Sequence, residues 1–232
     1  MTTITTTNEI DSITDALDKK LAITISDSET TIEVSKLQLC KQKGLEWIKK
    51  MLEKEQTATK PGSISYLLFG ARPSEQSINI KMGRFGEYLV KELIQTNKDL
   101  ELLQCGVQSV NDKKKDIDLI FKNEMTKTVY YYELKGNIEL DTEKIPATIA
   151  KCKEIETYIQ GHYPDYKIHI GVLNWSVYNR TILTSGISNI ARFEASGVKI
   201  NHMSDFLAVI GVEWIESDFY EYFRDLGKII KK

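Results

Sequence analysis

The segment that most constrains the fold is KKKDIDLIFKNEMTKTVYYYELKGN, residues 113–137, in which two apolar runs are separated by a short polar stretch. Apolar and polar residues alternate in both runs, which is the period-two pattern of β-strands. The polar stretch KNEMTK between them is of a length that closes a hairpin. Each strand is therefore expected to have one apolar face for the core and one face that carries ionisable side chains.

The ionisable groups of the two strands meet across this predicted hairpin. Asp116 and Asp118 share a face of the first strand, and Glu133 and Lys135 share a face of the second. A turn centred between residues 125 and 126 places Asp118 opposite Glu133 and Asp116 opposite Lys135. A turn centred between residues 124 and 125 places Asp116 opposite Glu133 instead. In either register two acids and a lysine converge at one edge of the sheet.

This convergence has a chemical use. Carboxylates a few ångströms apart repel each other unless a cation lies between them, and oxygen ligands of this kind suit Mg²⁺. A carboxylate-held Mg²⁺ polarises a phosphodiester and stabilises the leaving oxygen, while an adjacent lysine orients or deprotonates the attacking water. The pattern therefore indicates metal-dependent phosphodiester hydrolysis.

An acid followed two residues later by lysine is by itself a common pattern in a chain with 28% charged residues. Asp18, Asp112 and Asp165 also begin such triplets. Asp165 follows a predicted helix end and opens a strand, with no preceding acidic strand to supply a second ligand. Only Glu133 has an acidic strand directly upstream, and this partner distinguishes it from the other three.

Periodic segments on both sides of the two strands complete the predicted fold. Helical spacing predicts helices over 36–55, 77–94 and 144–160, and further strands are expected at 102–110 and 166–178. The order of helix, three strands, helix and strand implies a mixed sheet with helices against it. A short strand and helix are expected next, followed by an amphipathic helix at the end of the chain that packs into the core or against a second subunit.

Composition narrows the classes of function. A chain of 232 residues with 41% hydrophobic content suits one globular domain, which we place at residues 36–232, after a threonine-rich, flexible lead-in at 1–35. A net charge of −2 argues against a protein that coats nucleic acid by positive charge alone. The three cysteines are widely spaced and the sequence has no long apolar run, which together predict a cytoplasmic protein with no membrane partner. The sequence also lacks a glycine-rich phosphate loop, so we expect no nucleotide cofactor.

Glu87 lies in the second predicted helix, at the flank of its apolar stripe. A half-buried carboxylate near the acidic strands is one interpretation of this position. A surface ion pair with Lys91, four residues further on, is the other. The sequence leaves both open.

The elements DIDLIF and YYYELKGN, preceded by the helix with Glu87 and followed by a helix and a strand, resemble the PD-(D/E)xK nuclease superfamily, and within it the type II restriction endonucleases. The resemblance covers residues 78–174. It implies an α/β (α+β) restriction-endonuclease-like core, with a central mixed β-sheet flanked by helices, and Mg²⁺ as the cofactor. It makes Asp118 and Glu133 the metal-binding acids, Lys135 the lysine that positions or activates water, and Glu87 an accessory acid.

The first acid of this motif has two candidates. Asp118 is preferred because the family's acid usually leads directly into an apolar run, and Leu119 follows it. The proline of the family name is absent, and Lys115 precedes the Asp116–Asp118 segment. Asp116 therefore stays an alternative metal ligand.

The resemblance implies that the partner is double-stranded DNA, cut at a short specific sequence by a homodimer with one active site per subunit. Candidate DNA-binding residues around and beyond the site are Asn137, Lys113, Lys114, Arg180, Asn189 and Arg192. Lys144, Lys151 and Lys153 also surround the predicted site, and most of the lysines around it are expected to be solvated charge. The alternatives are a structure-specific repair or recombination nuclease of the same fold, and a non-catalytic DNA-binding module whose charged strand face is only solvated surface.

Overall fold

The computed structural model describes residues 35–54, 62, 67, 75–138 and 143–230. The flexible lead-in predicted for 1–35 thus lies outside the described residues, apart from its last position. By their contacts the described residues fall into two compact units, one up to Ile80 and from Trp214 onward, the other from Lys81 to Glu213. No helix in the described ranges is long and apolar enough to cross a bilayer.

The secondary structure follows the predicted order closely. The described helices are α1 (Lys36–Lys54), α2 (Glu75–Ile94), α3 (Ile145–His162), α4 (Ile187–Ala195), α5 (Met203–Ile210) and α6 (Glu216–Ile230). The described strands are β1 (Leu100–Leu102), β2 (Gly106–Val110), β3 (Lys113–Ile117), β4 (Leu119–Asn123), β5 (Thr128–Lys135), β6 (Lys167–Asn174) and β7 (Lys199–His202). The first three predicted helices agree with these bounds to within two residues.

In the first unit, α1 and α6 pack against each other. The ammonium of Lys41 lies 2.5 Å from the Asp218 carboxylate, and the Tyr222 hydroxyl donates to the Lys41 carbonyl at 3.1 Å. The apolar face of the last helix is therefore used in packing within this unit.

The second unit contains a five-stranded mixed sheet in the order β1-β4-β5-β6-β7 and a separate two-stranded hairpin of β2 and β3. The pairs β1–β4 and β4–β5 are antiparallel, whereas β5–β6 and β6–β7 are parallel. Helices α3, α4 and α5 pack against strands of the larger sheet. The predicted α/β class, a mixed sheet flanked by helices, is confirmed.

β5 carries Glu133 and Lys135 on one face, as predicted, but both of its faces are covered. Val129 and Tyr131 lie in a buried core that includes Cys152 and Ile155 of α3. On the opposite face, the ring of Tyr132 lies against Phe206 of α5, with ring centroids 6.1 Å apart. As the central strand of the sheet, β5 is covered on both sides, so its ionisable residues are drawn into the interior.

The register of the central hairpin matches the first of the two predicted alternatives. Pairs run from Leu119↔Tyr132 to Asn123↔Thr128, which centres the turn between residues 125 and 126. The first predicted strand is broken at Asp118, however, because residues 113–117 leave the sheet and pair with β2. The expected pairing of Asp116 with Lys135 is therefore wrong, and Asp116 lies opposite Val107.

A tryptophan fixes α2 beside the end of β5. Trp175 is buried, and its backbone N–H donates to the Lys135 carbonyl at 3.1 Å. Its indole ring fills the space beside two glycines: a Cβ on Gly86 of α2 would lie 2.2 Å from the ring, and one on Gly136 would lie 3.3 Å from it. The close approach of α2, the end of β5 and the indole therefore requires a residue without a side chain at Gly86.

We expect Gly86→Ala to lower the free energy of unfolding by about 1–3 kcal/mol, because the added methyl group overlaps the indole of Trp175. Gly83→Ala is the matched control in the same helix, where a Cβ meets nothing within 4 Å. That change should stabilise the protein by up to about 1 kcal/mol through lower chain entropy. Urea unfolding of the two variants tests the contrast, and equal effects would contradict the proposed close packing.

Candidate active site

Three of the predicted residues meet where β4 begins and β5 ends. Asp118 occupies the single position between β3 and β4, and its Oδ2 accepts a hydrogen bond of 2.8 Å from the backbone N–H of Leu134. Leu134 separates Glu133 from Lys135, so this bond holds the Asp118 carboxylate beside both. The break in the strand, rather than regular pairing, places the aspartate in the site.

Glu133 is the most buried member of the group, with a side chain 9% exposed. Its Oε2 accepts a hydrogen bond from the Tyr131 hydroxyl at 3.0 Å, and its Oε1 lies 3.4 Å from the ammonium of Lys135. Both oxygens of this carboxylate are therefore held by named partners, which fixes its orientation. The residue does not lie at an exposed strand end.

Lys151 of α3 enters the site between the two acids. Its ammonium lies 2.5 Å from Oε2 of Glu133 and 3.6 Å from Oδ1 of Asp118. Lys151 is one of the lysines expected around the site, and it is not solvated charge, since its side chain is 20% exposed and bridges both carboxylates. Helical spacing contained a signal for this position: Lys151 is three residues after Thr148 and four before Ile155, which are both buried.

The electrostatics of the group follow from burial and from the closeness of like charges. Burial raises the pKa of Asp118 most, and the charge of Glu133 raises it as well, whereas Lys151 and the Leu134 N–H lower it. The net result is a pKa of about 6. Burial opposes the charge on Lys151, but Asp118 and Glu133 together outweigh it and raise the pKa of its ammonium. Burial, followed by the charge of Glu133, raises the pKa of the Cys152 thiol to about 12, so this cysteine stays a neutral core residue.

Two predicted acids lie outside this contact group. Glu87 is half-buried, with a side chain 43% exposed, and lies 3.8 Å from Lys91. It adds only a minor repulsion that raises the pKa of Asp118. Asp116 is exposed on β3, and its charge reaches the site only as a small influence that raises the pKa of Lys151. The structure thus brings together Asp118 and Glu133 without Asp116 or Glu87.

Five of the six predicted DNA-binding residues are exposed and one is buried. The exposed residues include Asn137, Lys113, Lys114 and Arg192. Arg180 is also exposed, and its guanidinium forms an ion pair of 3.0 Å with Glu194. Asn189 does not fit the prediction, because it is buried and its amide donates to the Ile138 carbonyl at 3.0 Å, where it holds the segment that follows β5.

Two further polar residues, which the sequence analysis missed, lie at the ends of the parallel strands beside Lys135. Asn174 pairs in register with Lys135, and His202 pairs with Asn174. Both are buried, and within the described part of the chain Oδ1 of Asn174 and Nε2 of His202 have no hydrogen-bond partner. Burial lowers the pKa of His202, so its imidazole is neutral at pH 7. This edge of the sheet is therefore polar although it is enclosed.

The acid pair has the composition of a magnesium site that is completed by water and substrate. The described residues contain no cluster of three or more His, Cys, Asp or Glu side chains that would enclose a metal ion. Mg²⁺ is usually held by one or two carboxylates together with waters and substrate phosphates. Asp118 and Glu133 fit this pattern, because both already direct an oxygen to one shared cation, the ammonium of Lys151.

Comparisons of the chain with protein-family models, with curated proteins and with solved structures found no match. The chemistry of the site is accordingly inferred from its own contacts and charges.

We expect Asp118→Asn to stabilise the metal-free protein at pH 7. Since folding raises the pKa of Asp118 from 3.8 to about 6, its ionisation favours the unfolded chain, and this cost is present above about pH 6 and absent below about pH 4. The variant should gain up to about 3 kcal/mol at pH 7, and the gain should vanish as the pH falls through 6 to 4. Thermal unfolding in EDTA across this pH range measures it; a gain that is constant with pH would contradict the assigned cause.

Proposed function

We propose that this chain is a Mg²⁺-dependent endonuclease that hydrolyses phosphodiester bonds of double-stranded DNA at a short specific sequence, as type II restriction enzymes do. The observation that carries the proposal is the contact group near the end of β5. Asp118 and Glu133 both contact the ammonium of Lys151, and the ammonium of Lys135 lies 3.4 Å from Glu133. The order of elements around it, a helix, a hairpin, a helix and a parallel strand, agrees with a restriction-endonuclease-like core.

In the proposed reaction, Asp118 and Glu133 hold Mg²⁺, which supplies a Lewis acid for the phosphate and its leaving oxygen. Tyr131 keeps the Glu133 carboxylate oriented through its hydroxyl. Lys135 lies two residues after Glu133 along the same strand, with its ammonium 3.4 Å from Oε1 of Glu133, and beside the acids it would orient the attacking water or the phosphate. The low exposure of Glu133 limits competing solvation of these charges.

Burial also bears on the non-catalytic alternative. That interpretation required a charged strand face that is simply solvated. Glu133 is 7% exposed and is held by Tyr131, Lys135 and Lys151, so this part of the strand is not a solvated face. A buried acid pair is costly to maintain, which favours a functional use.

Digestion of plasmid DNA tests the proposal and separates restriction from repair. Purified protein with MgCl₂ should give discrete fragments, and EDTA should prevent them. Cutting confined to branched or damaged DNA would favour the structure-specific nuclease instead. Glu133→Gln, which keeps the volume of the buried side chain, should give no fragments; unchanged cutting by this variant would refute the assigned site.

The two aspartates provide a matched pair of charge-removing changes. Asp118→Asn should reduce cleavage to below about one-hundredth of the wild-type rate, because even residues that only orient a metal ligand contribute about 10- to 100-fold. Asp116→Asn should stay within about threefold, since an exposed substitution usually changes free energies by less than about 0.5 kcal/mol. Rates at saturating Mg²⁺ measure both. The reverse order would make Asp116 the metal ligand.

Lys135→Ala should slow the chemical step by about 10²- to 10⁴-fold, as expected for loss of a group that positions or transfers a proton. Affinity for specific DNA should change much less, because one phosphate contact among many is lost. Single-turnover cleavage and a binding titration with Ca²⁺, at one fixed salt concentration, measure the two effects separately. Lys127→Ala, in the turn at the opposite end of β5, is the control. Weakened binding with normal cleavage would make Lys135 a DNA-backbone contact.

A further inference from the structure

The ammonium of Lys151 lies in the gap that the two carboxylates share. It is 2.5 Å from Oε2 of Glu133 and 3.6 Å from Oδ1 of Asp118, which are the oxygens through which the two acids converge. Lys135 approaches the other oxygen of Glu133, Oε1, at 3.4 Å. The two lysines of the site therefore occupy different positions, and only Lys151 lies between the acids.

While Lys151 stays in place, its positive charge opposes the binding of a divalent cation to the two carboxylates. Asp118 and Glu133 contribute two negative charges, and Lys151 and Lys135 contribute two positive ones, so the metal-free group is balanced. A divalent cation bound to the same two oxygens would lie within a few ångströms of the Lys151 ammonium, where like charges repel strongly in a partly buried site. For Lys135 the conflict is smaller, because it pairs with Oε1 of Glu133 and not with the oxygen that contacts Lys151.

We propose that Lys151 is a resident counter-ion: it holds the place of the divalent cation in the metal-free protein and leaves the gap when the metal binds. This inference rests on the proposed metal site of Asp118 and Glu133 and adds its regulation. The side chain of Lys151 is suited to the exchange, since it has a long flexible stem and retains 20% exposure, which gives the ammonium a route to solvent.

The test is a titration of the full chain with MnCl₂ in the absence of DNA. Lys151→Met removes the ammonium and keeps an unbranched side chain, and Lys151→Gln is a second variant that retains a hydrogen-bond donor. Lys153→Met is the matched control, two residues further along α3, where the lysine is 46% exposed and pairs with Glu156. Calorimetry gives the Mn²⁺ affinity, and thermal unfolding in EDTA and in MnCl₂ gives the stability of each state.

Both Lys151 variants should bind Mn²⁺ about tenfold more tightly than wild type or more, since a full positive charge is removed close to the binding position. Their melting temperature in EDTA should fall below wild type, because two buried carboxylates lose their counter-ion, and saturating Mn²⁺ should raise it more than in wild type. Lys153→Met should behave as wild type in both measurements. A variant that folds only with Mn²⁺ would also support the exchange.

Unchanged or weaker Mn²⁺ affinity in both Lys151 variants would overturn the inference, as would failure of both to fold at saturating Mn²⁺. These outcomes are separate from failure of the proposed function. A wild-type protein that binds Mn²⁺ more weakly than the Lys151 variants but cleaves no DNA would refute the nuclease and leave the counter-ion exchange standing. A protein that cleaves DNA, with Lys151 variants that bind Mn²⁺ no more tightly than wild type, would support the nuclease and refute the counter-ion exchange.

Discussion

The hydrogen bond from the Leu134 N–H to the Asp118 carboxylate is the interaction on which the arrangement of the site depends. Pairing between β4 and β5 ends at Leu119↔Tyr132, because the chain before Asp118 belongs to a different sheet. The Leu134 N–H consequently has no ladder partner on that side, and a buried N–H without a partner is costly. The Asp118 carboxylate satisfies it, and in doing so is held next to Glu133.

This arrangement places negative charges where the fold alone gains little from them. Asp118 is buried beside Glu133, and burial together with this neighbour raises its pKa to about 6. Replacement of buried ion pairs by apolar side chains is often neutral or stabilising, so a group of this kind is weak evidence for a structural role. Lys151 and Lys135 compensate these two acids, and the cost in stability of such a buried charged group is typical of functional sites.

The sequence predicted what depends on local pattern. Alternation in residues 113–137 predicted the hairpin and two alternatives for its register, of which the first, with Asp118 opposite Glu133, is the one observed. It did not predict the break at Asp118, since the residues before it continue the same alternation and only their pairing with β2 removes them. The burial of both faces of β5 was also missed, because coverage by α3 and α5 is a tertiary property that the strand does not encode.

Residues that reach the site from other elements were the hardest to predict. Lys151 enters from the flank of a helix and Asn174 from the end of a neighbouring strand, and neither belongs to a local motif. For the same reason, the acid–x–lysine triplet alone does not identify the residues of the site. Asp112 lies exposed in a turn with a φ of +62° and Asp165 lies exposed before β6, so neither meets a second carboxylate through a covered strand. Glu133 differs from them in its position in the fold. It lies two residues before the end of the central strand, where a helix supplies the lysine and a strand break supplies the second acid.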